Sequence, residues 1–258
     1  MQTATEWMNR WRGLVLVASL LLAYGAWEAL VAIFRFPQFI LPTPEVVVER
    51  FGEAIADGTL LPNLGATVME VLLGLLAGSL LATLLGYLLS KSHLLENLLS
   101  PFLVASQAIP TVAIAPLLVI WFGPGMFSKV LICVLTVFFP VLVNTMVGIR
   151  AVPENLRDMM RSLKATPMQM LLYLEVPSAL PVLLGGLRIG ATLSVIGAVV
   201  GEFVGSDRGL GFLINVARGQ YDTALVFVAL FTLMALALMM YGVVVLLEKR
   251  LLRWQEKM

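Results

Sequence analysis

The chain has 258 residues, 60% of them hydrophobic and 13% charged, with a mean hydropathy of +0.95. That balance excludes an ordinary soluble domain. A net charge of +1 leaves no basic surplus to neutralise phosphates, which argues against nucleic acid as a partner. The single cysteine, Cys133, has no intrachain partner and reads as a small buried hydrophobe.

In chain order, Met1 to Arg12 is polar and Gly13 to Phe34 is an apolar run of 22 residues broken only by Glu28. At 1.5 Å per residue that run spans about 30 Å of hydrocarbon. The apolar core of a cleaved signal peptide is shorter, about 7–15 residues, so the run is read as a retained membrane helix. Phe36 to Asn63 reads as a loop in which Thr43-Pro44 opens a short helix, its Val47, Val48, Phe51 and Ile55 lying along the membrane surface. Val68 to Ser90 is a second span, with Glu70 near its start. Lys91 to Ser100 is expected to be a polar turn holding a solvated His93.

Pro101 to Phe122 is a third span, interrupted by Gln107, Pro110 and Pro116 and followed by a tight Gly123-Pro124-Gly125 turn. Val130 to Ile149 is a fourth, with Pro140 and Asn144 inside. Ser178 to Gly201 is a fifth, containing Arg188 and bounded by Glu202. Ser206 to Asp222 reads as a Gly-rich polar loop whose GLGFLINVARGQYD forms a short amphipathic piece. Ala224 to Leu247 is the sixth span, and the tail carries Lys249, Arg250, Arg253 and Lys257. The expected architecture is all-α and polytopic: one membrane domain, residues 1–258, with six transmembrane helices.

Between the fourth and fifth spans lies the longest polar break, Arg150 to Pro181. Pro153 suits the first turn of a helix. Leu156, Met159, Met160 and Leu163 then form one helical stripe, and Arg157, Arg161 and Lys164 another. Thr166-Pro167-Met168-Gln169 predicts a fresh start, with Thr166 as N-cap and Gln169 at N3 of a capping box. Val176-Pro177 is expected to end that second helix.

With the N-terminus inside, eleven basic residues fall on the cytoplasmic side (Arg10, Arg12, Lys91, Arg150, Arg157, Arg161, Lys164, Lys249, Arg250, Arg253, Lys257). Five fall outside (Arg35, Arg50, Lys129, Arg208, Arg218). The excess predicts cytoplasmic termini and a cytoplasmic 150–181 loop.

Polar residues within spans face a protein interior or water, since lipid contact is costly. Gln107, Asn144, Arg188 and Glu202 are therefore candidates for the translocation path or its gate, and Pro110 is counted with them; Pro110, Pro116 and Pro140 are expected to kink the helices around a cavity. Glu70 is placed nearer the interface. The competing reading is interhelical hydrogen bonding, worth about 1–2 kcal/mol or less per bond; Arg188 also has the option of snorkelling. Enzyme chemistry has little material. There is no H-E-x-x-H, no G-x-S-x-G, no G-x-x-x-x-G-K-[ST] and one histidine in all.

The run DMMRSLKATPMQMLLYLEVPSALP, followed by GLRIGATLSVIGAVVGEFVGSDRGLGFLI, resembles the EAA loop and following region of ABC-importer permeases. The likeness extends upstream through LPTPEVVVERF, SQAIPTVAIAPLLVIWFGPGMFSKVLI and FFPVLVNTMVGI, from about Leu41 to Ile214. It is strongest to the branch that imports nitrate, sulfonates, taurine and thiamine or riboflavin precursors, and RSLKAT looks more like the thiamine-pyrimidine and riboflavin types. The resemblance implies a type I (MetI-like) permease fold. It also implies a second copy of this chain, two cytoplasmic ATP-hydrolysing subunits that carry the ATP and Mg, and an extracytoplasmic substrate-binding protein. No cofactor is expected in this chain. Docking on the ATPase would fall to Arg157, Asp158, Arg161, Ser162, Leu163, Lys164, Ala165, Thr166 and Pro167. The loop departs from the family pattern at Lys164, usually glycine, and at Asp158, usually glutamate; regular helix is expected up to Ala165. The rival class is an ion-coupled secondary transporter or channel, which would have no use for such a loop.

Overall fold

A computed structural model describes residues 2–253. Lys257 and the side chains of Arg10, Arg12 and His93 lie outside the described part. The order of helices is α1 (Gln2–Phe34), α2 (Pro44–Ala56), α3 (Leu60–Lys91), α4 (His93–Gln107), α5 (Thr111–Phe122), α6 (Met126–Arg150), α7 (Glu154–Ser162), α8 (Pro167–Met170), a π-helical turn (Leu171–Glu175), α9 (Val176–Gly205), α10 (Leu210–Gly219) and α11 (Thr223–Leu251). Among the described residues five runs are long and apolar enough to cross a membrane, and six if the bent pair α4–α5 is one broken span.

The chain falls into two compact units. The first holds residues 1–60 and 213–230. Thr43 caps α2 as expected, accepting from the Val46 N–H. Val47 is buried, whereas Val48, Phe51 and Ile55 are exposed. Arg50 Nε donates to Asp222 Oδ2 at 2.9 Å, and Thr223 Oγ1 donates to the Phe39 carbonyl at 2.6 Å. Its hydrogen bond to Asp222 holds the Arg50 guanidinium above its ordinary pKa. Trp27 Nε1 donates to the Pro42 carbonyl at 3.0 Å, and its ring lies 5.1 Å from that of Phe227.

The second unit holds residues 61–212 and 231–258. Helices in lipid gain nothing from hiding one apolar face against another, so close approach must come from small residues. The sequence supplies them at helical spacing. A Cβ on Gly74 of α3 would stand 2.1 Å from Cys133 Cβ on α6, and one on Gly197 of α9 would stand 2.9 Å from Cys133 Cα. Cys133 is thus pinched between α3 and α9, fully buried, as its apolar setting predicts.

The helices differ from the expected spans at several points. Span two begins at Leu60 rather than Val68. Lys91 to Ser100 is not a turn: Ser92 accepts from the Leu95 N–H and caps α4, which starts at His93. The third span is not one helix, because α4 and α5 meet at 95° across residues 108–110. Pro110 cannot donate a backbone hydrogen bond and disfavours helix at Ile109, whereas Pro101 and Pro116 are carried inside α4 and α5. The short amphipathic piece expected within 206–222 is α10, Leu210–Gly219.

The 150–181 segment is corrected in three places. Pro153 is the N-cap of α7, with extended ψ of 134°, not its first turn. Helix stops at Ser162, not Ala165, because Lys164 adopts φ +55°. The Lys164 N–H reaches the Arg161 carbonyl at 2.9 Å and the Ala165 N–H the Met160 carbonyl at 3.0 Å, the paired bonds of a Schellman stop. The capping box at Thr166 and Gln169 forms in both directions. Val176-Pro177 does not end the helix. The Val176 N–H donates to the Leu171 carbonyl in the π turn, which shifts the register ahead of the proline ring and lets the helix run on. Helix therefore continues for 39 residues, Pro167 to Gly205. A non-glycine residue in the left-handed region costs about 1 kcal/mol, so Lys164→Gly is expected to raise the melting temperature of the purified chain slightly. A fall would show that the lysine side chain contributes more than its backbone strain costs.

Candidate functional site

Three groupings of polar side chains stand out, all within the second unit. The first is the elbow formed by α7, its stop and α8. Its expected apolar stripe is divided: Leu156 and Met160 are half-buried, whereas Met159 is 52% and Leu163 71% exposed. Arg157 turns inward, its Nη2 donating to the Ile149 carbonyl at 2.7 Å and so satisfying an orphan acceptor at the end of α6. Arg161 pairs with Asp158 at 2.9 Å and with Glu154 at 3.7 Å. Ser162 Oγ donates to the Asp158 carbonyl at 2.9 Å. Lys164, Thr166 and Pro167 are exposed and Ala165 is half-buried. The tip thus presents bare Leu163 beside the cations Arg161 and Lys164.

Where the elbow enters α9, the π turn carries the buried Glu175. Lys91, at the end of α3, forms an ion pair with it and lies 5.3 Å from the centre of the Tyr87 ring. At the same end of the bundle Arg150 is bidentate on Glu96, and Arg188 is tied to Glu248 of α11. Arg188, expected on the path, has its charge committed to that pair.

The second grouping lies at the opposite ends of α3, α6 and α9. Glu202 is fully buried and accepts from Thr67 Oγ1 at 2.6 Å and from the Gly211 N–H at 2.5 Å. Thr67 Oγ1 also accepts the Leu210 N–H at 2.8 Å, and Asn63 Oδ1 accepts the Gly209 N–H at 2.8 Å. Gly209 has φ +116°, and a Cβ there would stand 2.1 Å from Glu202 Oε1, so only glycine fits. Beside this knot Lys129 Nζ lies 2.7 Å from Glu70 Oε1 and donates to Ser206 Oγ at 2.9 Å. Lys129 is therefore a buried residue of α6, not the loop cation that its place at the edge of an apolar run implied. Glu70 is likewise fully buried. Glu202, expected at a gate, braces the junction of α3, α9 and α10.

The third grouping is a cavity of about 510 Å³ at the α4–α5 break. Its wall includes Ser106, Gln107, Ile109, Thr111, Thr136, Phe139, Pro140 and Asn144. Two of the five expected path residues, Gln107 and Asn144, thus meet here. Pro110 makes the break without lining the space, and Arg188 and Glu202 are elsewhere. Asn144 Nδ2 donates to the Pro140 carbonyl at 2.7 Å, and α9 approaches so closely that a Cβ on Gly186 would stand 2.6 Å from Asn144 Cβ.

Sequence reasoning missed Lys91, Lys129, Glu175 and Glu248 as members of fixed pairs. A usable signal was present: the few carboxylates at the edges of apolar runs each need a cation, and these lysines and arginines are the supply. Among the described residues no group of three or more His, Cys, Asp or Glu side chains is placed to hold a metal.

Residues 51–253 match the family described as binding-protein-dependent transport system inner membrane component. The chain is 47% identical to the riboflavin transport system permease protein RibX of Chloroflexus aurantiacus, over 95% of this chain and 91% of that one. It is 36% identical to the formylaminopyrimidine transport permease protein ThiX of Halalkalibacterium halodurans, over 90% and 92%. Identity to the putative aliphatic sulfonates transport permease protein SsuC of Bacillus subtilis is 33%, over 96% and 88%. In fold it is similar to an inward-facing structure of the MetNI methionine ABC transporter, with a TM-score of 0.67 at 18% identity over 74% of this chain and 95% of that one.

Proposed function

Given that the chain belongs to the family of binding-protein-dependent transport system inner membrane components, we propose how it works as the multi-pass permease of an ATP-binding-cassette importer. Two copies enclose the solute path about a two-fold axis, the commonest closed arrangement. Each offers its elbow to one of two cytoplasmic subunits that bind ATP and Mg and hydrolyse the nucleotide. A binding protein delivers solute from the other side. Both termini are cytoplasmic. With Lys129 counted inside a helix, the basic residues divide eleven to four between the two sides, Arg35, Arg50, Arg208 and Arg218 being the four. The solute is of the riboflavin or thiamine-precursor type, a reading supported by the identities to RibX and ThiX.

One observation carries the coupling: the exposed Leu163 tip sits at the head of a helix that runs without a break from Pro167 to Gly205. A soluble subunit that grips the tip moves a membrane-crossing rod directly. Affinity-tagged chain is expected to co-purify with a soluble ATPase, and uptake is expected to stop when that ATPase is inactivated. Uptake driven by an ion gradient with no ATP present would overturn the assignment and favour a secondary transporter.

A further inference from the structure

We propose that the cavity at the α4–α5 break is a contact site for an uncharged, planar, hydrogen-bonding heterocycle in transit, and that it turns away anions. The inference rests on the importer reading and deepens it by naming the chemistry that the path accepts.

At about 510 Å³ the space is within the range that holds a drug-sized ligand. Its polar equipment is neutral: the carboxamides of Gln107 and Asn144 and the hydroxyls of Thr111 and Thr136, with Phe139 supplying aromatic surface. A carboxamide offers a donor and an acceptor side by side, which matches the alternating N–H and C=O edge of an imide or pyrimidinone ring. Asn144 spends one N–H on the Pro140 carbonyl. That bond orients its amide, and the close packing of Gly186 against it holds the side chain in place. Gln107 is exposed and ends α4, where the chain breaks. Broken helices persist at membrane depth where they line a cavity or are covered by protein, and no side chain caps the start of α5.

Exclusion of anions follows from charge. None of the described lining residues is charged. Two cations of the same bundle are already committed, Arg188 to Glu248 and Lys129 to Glu70. A sulfonate or phosphate in this space would lose its water with no counter-charge, at a cost of several kcal/mol, whereas a neutral ring loses little.

The test uses thiol reactivity in the assembled transporter in membrane vesicles. Cys133 is fully buried, so the native chain is a silent background. Gln107→Cys and Thr111→Cys are each labelled with a water-soluble thiol reagent, alone and with riboflavin or riboflavin 5′-phosphate at equal concentration. These probes share a ring system and differ in charge. Riboflavin is expected to slow labelling at both positions by roughly fivefold or more, equivalent to about 1 kcal/mol of occupancy, and the phosphate to leave the rate unchanged. Absence of protection by riboflavin, or equal protection by both, would overturn the proposal. So would a ready disulfide between the Gln107→Cys residues of two copies, which would show the cavity filled by the second chain. In each of these cases co-purification of the ATPase still stands as a separate measure of the importer reading.

Discussion

Leu163→Asp is expected to abolish binding-protein-stimulated ATP hydrolysis and uptake together while the permease inserts and folds as before. The side chain is 71% exposed, so its loss removes almost no internal packing. Its backbone, φ −80° and ψ 5° at the end of α7, suits aspartate. The penalty falls on the complex alone. Desolvating an unpaired carboxylate against an apolar groove costs roughly 2–4 kcal/mol, as losing an interface hot spot does, and about 2.7 kcal/mol is a hundredfold in affinity. Binding-protein-stimulated ATPase activity and uptake in vesicles should both fall at least tenfold at unchanged membrane yield. A variant that stimulates and transports normally would remove Leu163 from the contact, and with it the elbow as the receiver of force.

Lys129→Met is expected to have the opposite profile, a loss of folded protein rather than of coupling. Lys129 is the cation on Glu70, and both are buried. Taking away one partner of a buried pair leaves an uncompensated charge and costs about 3–5 kcal/mol, a large share of a native protein's margin. The Glu202 knot next to it remains, but Ser206 loses its donor from Lys129. Adding Glu70→Gln should restore most of the loss, because the stranded carboxylate is gone; changes within one network are not additive. Monodispersity and melting temperature after detergent extraction read the effect. If the single variant melts like the parent, or the double variant no higher than the single, the pair is not what holds this end of the bundle.

The number of spans and the position of the polar elbow were legible because bilayer thickness is a hard ruler: runs of eighteen or more apolar residues have few other uses. Thr166 to Gln169 was legible because a capping box is a local device whose partners are three residues apart. Prolines were not. Pro101, Pro110, Pro116, Pro140 and Pro177 read alike on paper, yet only Pro110 breaks its helix. Pro177 is accommodated by the π turn before it, a solution that depends on what packs around it. Lys164 departs from its expectation for a different reason. The Schellman hydrogen bonds outweigh a strain that sequence preference alone would avoid. Of the site, Gln107 and Asn144 were found by a rule that transfers, polar groups in apolar spans. The ion pairs were not found because their partners are far apart in the chain, Lys91 and Glu175 by 84 positions. Pattern within one sequence does not rank such long-range matches.

The unbroken run from Pro167 to Gly205 has a mechanical corollary. Thirty-nine residues make about 58 Å of continuous helix, so a five-degree swing transmitted along it from the foot would move its far end by at most about 5 Å. Glu202 lies near that far end, clasped to Thr67, so the stroke proposed for the elbow would reach the clasp at the opposite end of the same helix.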